Sequence, residues 1–99
     1  MTYEARETAM KLLKVRIDRA GNLRDEYLIA RIDGAIEQLA GNGIHLTDST
    51  GDVMLLVDYA AWQYNNRDKP GGMPDWLRLM RRERWLQEIG KRKEVCNDT

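Results

Sequence analysis

Residues 52–68 read Asp52-Val-Met-Leu-Leu-Val-Asp58-Tyr-Ala-Ala-Trp-Gln-Tyr-Asn-Asn-Arg-Asp68, the longest dense apolar run in the chain. It is too short and too interrupted by charge to span a bilayer. No Gly or Pro falls between Val53 and Arg67, so nothing within it stops a helix. At a helical step of about 100° per residue, its apolar side chains fall into two stripes. Val53, Leu56, Val57, Ala60, Ala61 and Tyr64 make a broad one, with Met54 at its edge. Leu55, Tyr59 and Trp62 make a second, nearly opposite. Asp58 and Asn65 separate the stripes along one flank, Asp52 and Gln63 along the other. A helix that is apolar on two sides must be buried on two sides. This one is therefore the centre of the fold, and the second stripe needs a cover.

The broad stripe has a partner upstream. From about 23 or 24 to 40, Leu28, Ile29, Ile32, Ala35, Ile36 and Leu39 recur at helical spacing, with Arg31, Asp33, Glu37 and Gln38 off that face. Asn22 or Asp25 can cap this helix, and Gly41-Asn42-Gly43 ends it. Earlier still, Thr2 caps a helix from 3 to 15 whose inner face holds Ala5, Ala9, Leu12 and Leu13, with Met10 beside it. Glu4 and Glu7 near its start and Lys11 and Lys14 near its end suit the helix dipole. Val15 to Asp18 alternates like a short extended piece, and 18–22 reads as a turn.

Downstream, 68–74 holds two prolines and two glycines, and Gly71-Gly72 reads as a hinge. Pro74 opens a fourth helix expected over 75–90. Trp76, Leu79 and Met80 share one face; Trp85, Leu86 and Ile89 lie further round, among Arg78, Arg81, Arg82 and Arg84. Residues 91–99 read as a polar, frayed tail. The expectation is an all-α single four-helix domain with a central buried helix and a hinged C-terminal helix, 99 residues being enough for one modest core.

Charge is balanced overall, with 16 basic and 16 acidic residues, so no global field draws the chain to nucleic acid or membrane. The distribution is segregated: both ends are basic and 25–68 is acidic. Two readings follow. Basic outer helices can pack beside an acidic middle one, or opposite patches can meet between copies. The single cysteine, Cys96, makes no internal disulfide and fits a reducing compartment. With no apolar signal region at the N-terminus, a cytoplasmic protein, or one carried in a particle assembled there, is expected.

No chemistry-bearing constellation appears. His45 is the only histidine and has no Cys or His at ligand spacing, so no metal is expected. The oxygen-rich 47–52 segment lacks the ligand series and closing Glu of a calcium loop; helix capping by Asp48, Ser49 or Thr50 explains it. There is no phosphate-binding Gly-rich loop and no nucleophile elbow, so neither enzyme nor cofactor is expected. Trp76, Arg78, Arg81, Arg82 and Trp85 together suit either phosphates and bases or a protein hot spot. Glu83 and Glu88 interrupt the basic run, which favours protein docking. Leu55, Tyr59 and Trp62 are the candidate self-assembly surface.

The order of these features resembles the small head–tail connector (adaptor or head-completion) proteins of tailed bacteriophages. The likeness spans roughly 9–86. It runs through Leu13-Lys-Val-Arg-Ile-Asp18, Asp25-Glu-Tyr-Leu-Ile-Ala-Arg-Ile-Asp-Gly-Ala-Ile36 with Gly41, the central helix closing on Tyr64-Asn-Asn66-Arg67, and Met73-Pro74 before the last helix. Each piece alone is weak, and their order and spacing carry the likeness. The resemblance implies a non-enzymatic virion subunit, present in the host bacterial cytoplasm during assembly. It would form a ring on the portal vertex and join portal to tail or next connector. DNA would pass through its channel without specific binding. It also implies docking to the portal through the last helix, from Asp75 onward. Gly71-Gly72 and the arginine-rich last helix depart from the pattern. The alternative is a small helical nucleic-acid-binding module in phage packaging or regulation.

Overall fold

The structure, a computed structural model, describes residues 1–17, 23–67 and 72–97, with the backbone alone over 91–97. Four helices follow one another: α1 (Tyr3–Arg16), α2 (Asp25–Gly41), α3 (Thr50–Asn65) and α4 (Asp75–Asn97). No strand occurs among the described residues, and the fold is all-α.

The helix starts follow their capping chemistry. The Thr2 hydroxyl accepts from the Ala5 N–H, and the Ser49 hydroxyl accepts from the Asp52 N–H. At α2 the cap position belongs to Arg24, which makes no side-chain cap; Asn22 lies outside the described residues. Gly43, just past α2, takes φ +89, where a side chain is strained and glycine is not. The turn it makes lets the Ile44 N–H return to the Leu39 carbonyl at 2.9 Å.

As the two stripes require, α3 is the buried axis. Val53, Leu55, Leu56, Val57, Tyr59, Ala60, Ala61 and Tyr64 are all buried on it, and Met54 is exposed. α1 and α2 pack on it and on each other; α4 packs on α3 alone. The core draws Ala9, Met10 and Leu13 from α1, and Leu28, Ile32, Ala35 and Leu39 from α2. Leu12, expected inside, is on the surface, because Ile17 rather than Leu12 completes the α1 face.

Two further expectations are corrected. α4 does not stop at Gly90; its backbone is helical through Asn97. Of the face shared by Trp76, Leu79 and Met80 only Met80 is turned inward, and the inner face of α4 is Leu77, Met80 and Arg84. Leu77 is 0% exposed and Trp76 48%.

Part of the segregated charge is spent within the chain. Arg6 forks onto Asp33 at 2.9 and 2.7 Å. Lys14 meets Asp25 at 2.6 Å, and Arg16 meets Asp58 at 2.6 Å. From the other end, Arg84 meets Asp52. Each pair ties a basic terminal helix to the acidic middle, as the intramolecular reading expects.

Candidate partner-docking cleft

Besides Leu77 and Met80, one buried ion pair fixes α4 to the body. Arg84 Nε donates to Asp52 Oδ1 at 2.7 Å and its Nη2 donates to Asp52 Oδ2 at 3.2 Å. The same guanidinium donates to the His45 carbonyl at 2.9 Å and to Glu88 at 3.0 Å. Asp52 also accepts from the Thr47 N–H at 2.7 Å and hydroxyl at 2.8 Å. Burial alone would raise the Asp52 carboxyl. Hydrogen bonds from Arg84 and Thr47 overcome that and hold it below its ordinary value. Asp52 in turn holds the Arg84 pKa up against burial. His45 itself stands exposed, its carbonyl alone engaged.

With Arg84 turned inward, the next flank of α4 faces the α2–α3 loop. Between them lies an open cleft of about 600 Å³ lined by Asn42, Ile44, Arg78, Leu79, Arg81, Arg82 and Trp85. Gly43 forms part of the loop wall, and a Cβ there would come within 3.4 Å of the Trp85 indole nitrogen. At that distance the contact is ordinary, and the positive φ is what calls for glycine.

Four of the five residues expected to dock a partner therefore meet at one place: Arg78, Arg81, Arg82 and Trp85. Trp76 stands apart and exposed. Arg78 is paired with Asp75 one turn before it. Arg81 and Arg82 have no acidic partner among the described residues. The cleft thus offers two uncompensated guanidinium groups beside an indole face.

The expected self-assembly stripe is corrected at Leu55 and Tyr59. Leu55 is 3% and Tyr59 5% exposed in the single chain. Leu55 lies in the α3–α4 crevice with Met80 and Arg84. The Tyr59 hydroxyl donates to Gln38 of α2 at 3.0 Å. They need no neighbouring subunit to cover them. Trp62, partly buried beside the Tyr59 ring, lines a shallower groove on α2 and α3 with Ala30, Gly34, Asn66 and Arg67.

The Tyr64-Asn-Asn66-Arg67 sequence ends α3. The Asn66 side-chain amide donates back to the Trp62 carbonyl at 2.9 Å. The Arg67 guanidinium lies 4.1 Å over the Tyr64 ring and also donates to the Tyr64 carbonyl. The sequence reading missed the other half of this cluster. Tyr27 meets Tyr64 edge-on at 6.3 Å, and Arg31 lies over both rings. The four-residue spacing of Tyr27 and Arg31 was the available signal.

Of the hinge residues, Gly71 lies outside the described residues. Gly72 is exposed, in a backbone conformation open to other residues, and a Cβ on it would meet nothing. Among the described residues there is no group of His, Cys, Asp and Glu that could hold a metal. None of the described helices is long and apolar enough to cross a membrane. No protein-family model, curated protein or solved structure matches the chain.

Proposed function

We propose that the chain is a head–tail connector subunit of a tailed bacteriophage, non-enzymatic, built into the virion by protein docking at the α4 cleft. The observation that carries this is the cleft itself, where Arg81 and Arg82 stand without acidic partners among the described residues, beside the half-exposed Trp85. Arginine and tryptophan are the side chains that most often anchor protein interfaces. The order of sequence features supplies the class. Net neutrality suits a channel through which DNA slides without being held. In this reading the chain works in the virion and is present in the host cytoplasm during assembly. Its partners are the portal, the next connector or tail protein, and copies of itself.

The test is assembly on portal rings from the same particle, followed by sedimentation and electron microscopy. The wild-type chain is expected to join the ring, and Arg81→Glu/Arg82→Glu to be left out. Failure of the wild type to join would overturn the reading. So would tight duplex binding that weakens steeply with salt, which would favour the nucleic-acid module.

A further inference from the structure

The cleft leaves open what it receives. The chain carries a complementary surface on α2. Along the solvent face of α2, Glu26, Ala30 and Glu37 are exposed, and Gly34 lies beside them. Glu26 and Glu37 have no basic partner among the described residues, whereas Asp33 on the same helix is held by Arg6. Every other acidic residue of 25–58 except Asp48 is paired with a basic side chain of its own chain. Asp48 accepts instead from the Thr2 N–H. The acids that remain are on one face of α2, and the cleft arginines that remain are on α4.

Gly34 adds a steric observation. It sits in the middle of α2, where glycine costs about 1 kcal/mol relative to alanine. A Cβ there would meet nothing within 4 Å, and φ is not positive. No packing or conformational requirement of the single chain accounts for the glycine. With Ala30 one turn earlier, it leaves a shallow groove, flanked by Arg31, Trp62 and Arg67, where another backbone or a large side chain can come close.

We propose that the α4 cleft of one copy receives the acidic face of α2 from a second copy. Arg81 and Arg82 meet Glu37 and Glu26, and Trp85 and Leu79 lie against Ala30 and Gly34. The two faces belong to different sides of the subunit, α4 packing only on α3 and α2 on α1 and α3. The contact is therefore head-to-tail, and repetition of it gives a closed ring or an open filament. This deepens the connector reading, resting on it for the cleft's role as a docking site, and names the partner there.

Sedimentation velocity over a concentration series tests it with three variants. The wild type is expected to self-associate, more weakly as salt rises. Gly34→Leu raises helix propensity, and its Cβ meets nothing in its own chain within 4 Å. It is expected to melt no lower than wild type and to lose association by about tenfold or more, since it fills the approach. Arg81→Glu/Arg82→Glu and Glu26→Lys/Glu37→Lys are each expected to be monomeric alone, because each then sets like charges face to face. Mixed together, they are expected to co-assemble, because each acidic cleft meets a basic α2 and each basic cleft an acidic one. A wild type that stays monomeric at every concentration overturns the proposal. So does association that survives both charge reversals, or a mixture that fails to restore it. Portal binding separates the two readings. A monomer that joins portal rings sinks this inference alone, and an oligomer that ignores them sinks the connector reading alone.

Discussion

Asp52 occupies the first turn of α3, where a carboxylate needs no explanation beyond capping and the dipole. Its burial and its pairing with Arg84 came from 32 residues away, a distance that periodicity does not reach. The sequence placed Asp52 on a polar seam and left Arg84 among the exposed arginines, because a charged side chain is read as solvent-facing unless its partner is known. The pair has a testable weight. Asp52→Asn leaves the buried guanidinium short of its counter-charge and is expected to destabilise the fold by about 3 kcal/mol at neutral pH. The pH dependence has a definite sign. The folded carboxyl titrates below the ordinary value of 3.8, so its stabilisation is complete above that pH and is lost as pH falls through the folded value. Thermal melts of wild type and Asp52→Asn should therefore differ most at neutral pH and converge in acid. A gap that stays constant to low pH would mean that the charge contributes nothing.

Among the elements, α2 and α3 were legible nearly to the residue, because their apolar positions repeat without interruption over four turns or more. The same regularity failed for α4. There the inward face is Leu77, Met80 and Arg84, and one of its three members is charged. A reading that follows apolar residues alone steps over Arg84 and takes the wider Trp76, Leu79, Met80 face instead. Leu55 and Tyr59 were legible as buried but not in what covers them, since a lone chain does not distinguish its own helices from a neighbour's. Truncation separates the two faces of α4. Leu77→Ala removes a fully buried side chain and is expected to cost about 3 kcal/mol in urea melts. Trp76→Ala removes a larger but exposed one and is expected to change stability by less than about 0.5 kcal/mol. The reverse order would place Trp76 in the core.

For the whole molecule, α3 touches the other three helices, α1 and α2 touch two each, and α4 touches α3 alone. The body of α1, α2 and α3 shares most of the buried apolar residues. α4 brings Leu77, a partly buried Met80 and the Asp52–Arg84 pair. Stability should then be uneven, with α4 opening at lower free energy than the rest. Removing α4 from the body breaks one ion pair and exposes the Leu55 crevice, while leaving the contacts among the other three helices in place. Native-state hydrogen exchange is expected to find the amides of α2 and α3 protected close to the global limit. Those of α4 are expected to exchange through a cheaper opening. Arg84→Met should speed exchange in α4 far more than in α2, because it strikes the attachment and not the body. Uniform protection across all four helices would mean that α4 is an integral wall of the core. The cleft would then be a fixed feature of the domain, presented in one geometry to whatever docks there.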